Sequence, residues 1–193
     1  LGGAGYLNGD YTGPVYTIAV PDPVIVVGDH VLLADTANQP IKIYVSGGHS
    51  VKALEFVAQV AEVSSSPPFT PTVNGPDFTS VDLLTGTIFE GANPYPPGLT
   101  AQLYQGGVIT DTGETVIADG LLATLVLTAN NLYATSPGDY FDLKLEGTVV
   151  GDTTFGGLPI DITNGRLFLK ELPTAEISTP ISVNEGGTVT LDG

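Results

Sequence analysis

Apolar and polar residues alternate in short runs along most of this chain, and the runs are cut by Gly, Pro, Asn and Asp. Ile41, Ile43 and Val45 alternate with Lys42, Tyr44 and Ser46, the period of a strand with one buried face. Gly47-Gly48 turns the chain, and residues 51–60 alternate again. Leu54, Phe56, Ala58 and Val60 fall on one side there, with Ala53, Glu55, Val57 and Gln59 on the other. Residues 51–63 also hold good helix formers, so an amphipathic helix competes with the favoured strand reading over that stretch. After Asp119-Gly120 comes the clearest strand, 121–128, with Leu121, Ala123, Leu125 and Leu127 on one face. Pro137-Gly138 leads into 140–145, where Phe141, Leu143 and Leu145 point inward.

Shorter strands are predicted at 24–27, 30–34, 81–84, 87–89, 101–104 and 166–169, with an edge strand at 15–20. Residues 64–77 and 93–98 are dense in Pro and read as loops. About nine short strands at this spacing predict an all-β sandwich. Residues 1–22 form an extended lead-in, 23–172 the sandwich, and 173–193 a linker followed by the start of another module.

Composition agrees with that class. The 193 residues suit one domain, and 25 Gly with 15 Pro break helices and punctuate strands. Hydrophobic residues are 42% of the chain against 13% charged, enough to build a core. Twenty-one acids against five bases give a net charge of −16, which excludes nucleic-acid binding by phosphate neutralisation and docking on anionic lipid. The densest apolar run, 23–27, is far too short to span a membrane. Cys is absent, which removes disulfides, thiolate metal sites and a Cys nucleophile. Met is absent too, so the chain is expected to be a processed or excised piece of a longer protein.

Chemistry-bearing residues are sparse. The two histidines are His30 and His49, and neither a Gly-X-Ser-X-Gly elbow nor a His-Glu-X-X-His helix occurs. Ser46-Gly-Gly-His49 sits between two strands and reads as a solvated hairpin turn rather than a Ser–His pair. Carboxylate pairs such as Asp139/Asp142 and Asp111/Glu114 are what 21 acids produce by chance, so no catalytic residue is assigned. Acidic loops near Asp111, Asp119, Asp139, Asp152 and Asp161 supply the oxygen ligands a structural calcium would want, yet no Asp-X-Asp-X-Asp-Gly loop occurs. No cofactor and no metal ligand are assigned. Trp is absent, and a sugar-stacking strip would have to use Tyr44 and Tyr140, which point away from the core by alternation, or Tyr95 and Tyr133 in loops.

The stretch DGLLATLVLTANNLYATSPGDYFDLKLE, residues 119–146, resembles the second half of a cohesin domain. There an Asp-Gly pair opens an apolar-apolar-Ala-Thr-apolar strand, and a Pro-Gly turn leads to the next. Gly28-Asp29, the alternation at 41–45 and Ala53-Leu-Glu-Phe56 are similar to the cohesin opening, and Thr163-Asn-Gly-Arg-Leu-Phe168 to its closing strand. The likeness covers 24–172. It departs from the cohesin pattern at the long Pro-rich loop 64–78, and where Gln59-Val60-Ala61-Glu62 replaces a Tyr-Asp-Pro turn.

The resemblance implies a nine-stranded jelly-roll β-sandwich and a non-catalytic extracellular module that binds a dockerin-like protein or cell-surface component through one open sheet face. It places Glu55, Val57 and Gln59 on that face beside Tyr140, Asp142 and Lys144, with Gln102 or Tyr104 nearby. Carbohydrate-binding modules share the jelly roll, so polysaccharide binding is the alternative, and a passive spacer or adhesin module the third. Residues 173–193 (PTAEISTPISVNEGGTVTLDG) resemble the opening of a PKD- or cadherin-like repeat. Tandem β-modules of this kind imply a secreted, multimodular bacterial protein.

Overall fold

The computed structural model describes residues 19–63, 72, 74–132, 139–146, 153–158 and 160–171. Among these every regular element is a strand. In chain order they are β1 (Val24–Val26), β2 (Asp29–Leu33), β3 (Gln39–Ser46), β4 (Ser50–Val51), β5 (Ala53–Ala61), β6 (Asp77–Asp82) and β7 (Asn93–Leu99). The remainder are β8 (Leu103–Ile109), β9 (Val116–Ile117), β10 (Gly120–Thr128), β11 (Tyr140–Lys144), β12 (Asp161–Thr163) and β13 (Gly165–Lys170).

Two large sheets hold the core between them. One has five strands in the order β12-β1-β3-β10-β6, and the other has six in the order β2-β13-β11-β5-β8-β7. A short β4-β9 pair closes one corner. The alternation explains the layering, because the inward residues of each strand are the apolar set read from the sequence. Ile25, Ile43, Leu125 and Leu127 of the five-stranded sheet are fully buried against Leu54, Phe56, Leu143 and Leu167 of the six-stranded one. Each such side chain stabilises the fold by about 1.5–3 kcal/mol relative to exposure. The first and last strands meet in both sheets, with β1 parallel to β12 and β2 parallel to β13. Gly165 permits the second approach, since a Cβ there would run into the Gly28 carbonyl.

Over residues 51–63 the favoured strand reading holds against the helix, with β4 at Ser50–Val51 and β5 at Ala53–Ala61. Other expectations change. Thr87–Phe89 is a turn, because the Thr87 hydroxyl donates to the Leu83 carbonyl at 2.7 Å and accepts from the Phe89 N–H at 3.1 Å. Asn93–Leu99, read as a loop from its prolines, is the edge strand β7; an edge tolerates residues that cannot donate to a ladder. Between Leu121 and Ala123 the pairing with β3 shifts by one residue, so Leu122 and Ala123 both enter the core and Leu121 moves to the other face. Residues 15–18 of the expected edge strand, residues 64–71 and 73 of the Pro-rich loop, Asp152 and the expected module start at 173–193 lie outside the described residues.

Candidate functional site

The outer face of the six-stranded sheet is assembled row by row from its pairings. Glu55 of β5 is opposite Gly107 of β8, which is opposite Tyr95 of β7. One step along, Val57 faces Gln105, and Gln105 faces Gly98. Further on, Gln59 lies between Leu103 of β8 and Lys144 of β11. Asp142 is opposite Ala61 on one side and Arg166 of β13 on the other, and Tyr140 is opposite Phe168.

Seven of the eight residues expected on this face lie on or beside it, but not all are accessible. Glu55 is exposed, while Gln102, Tyr140 and Lys144 are half-buried. Val57 at 3%, Gln59 at 0% and Asp142 at 6% exposure are its floor rather than its contact surface. Lys144 Nζ reaches Asp142 Oδ2 at 3.1 Å, so the charge in that floor is paired. Gln102 Nε2 donates to Asp77 Oδ1 at 2.5 Å, and the Gln102 backbone carbonyl accepts the Val60 N–H at 3.0 Å.

Tyr104 is the eighth, and the structure turns it the other way. It pairs with the inward Ala58, packs its ring 6.1 Å from that of Phe56, and is 5% exposed. Gly106 makes the room, since a Cβ there would meet the Tyr104 hydroxyl. Burial, helped by the nearby Asp82 charge, pushes the Tyr104 phenol above its ordinary value. Burial acts against the charge on Asp82 too. There, hydrogen bonds from the Thr85 side chain and from the Thr85 and Leu84 backbone N–H groups outweigh it and hold the carboxyl below its usual range.

Two hollows open on the face. One, of about 440 Å³, runs between β5, β8 and β7 and is lined by Glu55, Val57, Tyr95, Pro96 and Gln105 over Gly106-Gly107. The other, of about 360 Å³, lies between β2, β13 and β11 and is lined by Asp29, Tyr140, Asp142, Lys144 and Arg166. In the second, the Arg166 guanidinium stands 4.9 Å above the Tyr140 ring, and the Phe168 ring packs 5.5 Å from it. Tyr95, Gln105 and Arg166 were not singled out for this face from sequence. Tyr95 was hidden by the prolines around it, whereas Arg166 could have been found by pairing its strand with the one carrying Asp142.

Other candidates separate. Tyr44 is 53% exposed on the outer face of the five-stranded sheet, so it cannot share a strip with Tyr140; Tyr133 lies outside the described residues. His49 Nε2 donates to the Val20 carbonyl at 3.0 Å and stands 3.6 Å from Asp22 Oδ1. Asp111 accepts from Asn93 Nδ2 at 2.6 Å, and among the described residues no three His, Asp or Glu side chains gather as metal ligands. Also among them, no helix is long and apolar enough to cross a membrane.

Sheet order, parallel closing strands and an open outer face define an all-β jelly-roll sandwich. No family model and no curated protein sequence matches the chain. Solved structures do. A non-cellulosomal cohesin from the archaeon Archaeoglobus fulgidus is similar at a TM-score of 0.52 and 12% identity, covering 77% of this chain and 91% of that one. The third cohesin of ScaC from Acetivibrio cellulolyticus, in complex with the ScaB dockerin, is similar at 0.55 and 12% identity over 76% and 98%. A type I cohesin–dockerin complex from Clostridium thermocellum gives 0.50 and 13% over 77% and 99%. At such identities the likeness is one of fold, and the fold is cohesin-like.

Proposed function

We propose that this chain is a non-catalytic protein-interaction module of a secreted or cell-surface bacterial protein, taking a dockerin-like partner on the outer face of its six-stranded sheet. The observation that carries the reading is the cohesin-like fold itself, because two of the similar structures are cohesins in complex with dockerins. The face supports it. Val57, Gln59 and Asp142 form a dry floor, and Glu55, Tyr140, Lys144 and Gln102 stand around it within reach of a partner. The net charge of −16 speeds encounter with a basic partner and makes association fall with salt.

The test is biolayer interferometry of the chain against a panel of calcium-loaded dockerin modules at low and high salt. At least one dockerin is expected to bind, more slowly as salt rises. Tyr140→Ala is expected to weaken that binding about tenfold or more, whereas Tyr44→Ala on the opposite sheet leaves it unchanged. Silence across the whole panel, or an equal loss from Tyr44→Ala, would refute the reading.

A further inference from the structure

The 440 Å³ hollow between β5, β8 and β7 has a chemistry of its own. Its shape begins at Gly107, which sits between Glu55 and Tyr95 in one row across the sheet. A Cβ at that position would stand 2.6 Å from the Leu54 carbonyl oxygen and 3.3 Å from Tyr95 Cδ2, so the middle strand keeps no side chain there. The next row repeats the device at its edge, with Gly98 opposite Gln105. The result is a trough over Gly107, with the Tyr95 ring leaning in from one side and Glu55 on the other, their backbones two strand spacings or about 9.5 Å apart. Its volume falls within the range of small-molecule sites, roughly 300–1,000 Å³.

We infer that this trough is a binding site for a neutral oligosaccharide, a reading that does not rest on the partner proposed above although the trough shares Glu55 and Val57 with that face. A sugar ring presents apolar C–H faces and a rim of hydroxyls, and the trough matches both. Tyr95 is 51% exposed and with Pro96 offers a flat apolar wall. Gln105 has an amide that both donates and accepts, and Glu55 is an acceptor. The Glu55 carboxylate is positioned in advance: Thr154 Oγ1 donates to its Oε2 at 3.4 Å, and the Glu55 and Thr154 backbones exchange hydrogen bonds at 2.8 and 2.9 Å. Among the described residues Glu55 is the single charged one in the lining, and none of the lining residues is a cation. With a net charge of −16 behind it, the trough repels acidic sugars and selects uncharged ones.

Isothermal titration of the chain with neutral hexasaccharides (beta-linked glucan, xylan and mannan, and alpha-linked glucan) tests this, with an oligogalacturonate as the anionic probe and an oligolysine peptide as the cationic one. At least one neutral hexasaccharide is expected to bind with a Kd on the order of 1 mM or tighter, unchanged between low and high salt, and the oligogalacturonate is expected not to bind. Tyr95→Ala is expected to weaken binding about tenfold or more, while Tyr95→Phe and Tyr44→Ala retain it. Tyr95 lies exposed on an edge strand, so a thermal melt of Tyr95→Ala is expected to match the parent. Failure of every neutral sugar, binding that survives Tyr95→Ala, or salt-sensitive binding of the oligolysine alone overturns the inference.

Discussion

On the five-stranded sheet, β3 alternates without a break: Ile41, Ile43 and Val45 are buried, and Lys42, Tyr44 and Ser46 are exposed. On the six-stranded sheet, β5 alternates only as far as Phe56, and from there to Ala61 every residue is buried, whichever way it points. The backbone period is the same in both strands, so the difference lies in what covers the outward side chains. The first face is an ordinary wet surface. The second already excludes water from its centre, so a partner covering it gives up little side-chain freedom there. That contrast, more than any catalytic or metal-binding residue, is what supports the proposal that the six-stranded face is the working one.

The largest test of the contrast compares a core anchor under the second face with an exposed aromatic on the first. Phe56→Ala removes a fully buried ring that packs against Tyr104, and its expected cost in urea unfolding is about 3–5 kcal/mol. Tyr44→Ala is expected to stay within about 0.5 kcal/mol. Similar costs would mean that Phe56 is not the core anchor beneath that sheet.

A smaller effect is expected at Thr153, which is buried and hydrogen-bonds β5 through its hydroxyl. Its Oγ1 accepts the Val57 N–H at 3.1 Å and donates to the Val57 carbonyl at 3.0 Å. Thr153→Val keeps the shape but strands both backbone groups, at an expected cost of about 1–3 kcal/mol. Thr153→Ser, which keeps the hydroxyl, should recover much of that loss.

The smallest effect lies on the five-stranded side, at the end of β6. Because the Asp82 carboxyl is held below its ordinary value, its stabilising contribution is present above the usual aspartate range and is lost as pH falls through the folded-state value. Asp82→Asn is expected to be about 1 kcal/mol less stable than the parent near neutral pH. The gap should close on acidification below about pH 4. A gap that persists in acid would show that the hydrogen bonds, not the charge, are what the substitution disturbs.

Much of this architecture was legible in the residues because one period governs it. The strands β3, β5, β10, β11 and β13 all follow from alternation between turn signals, as does the inward set of Leu54, Phe56, Leu125 and Leu143. Alternation fails where pairing shifts by one residue, and Leu121 changed faces at such a shift. It is silent about edges, so Pro94, Pro96 and Pro97 concealed β7 and with it Tyr95. The same blindness affected the candidate site. Spacing along β5 put Glu55, Val57 and Gln59 on one face, but spacing along one strand cannot tell which of them is covered. Tyr104 went astray because the register of β8 against β5, and the space left by Gly106, decide its direction.

The closing of the six-stranded sheet by β2 and β13 bears on mechanics. These strands run parallel over a five-residue register from Asp29↔Arg166 to Lys170↔Leu33. Tension entering the chain ahead of β2 and leaving after β13 therefore pulls the two strands lengthwise in opposite directions. The ladder between them is loaded in shear, with its hydrogen bonds sharing the force, instead of being peeled apart one bond at a time as a hairpin would be. The same geometry recurs between β1 and β12 in the other sheet. Stretched from its two ends, the sandwich resists as a lap joint does, with both parallel ladders loaded along their length.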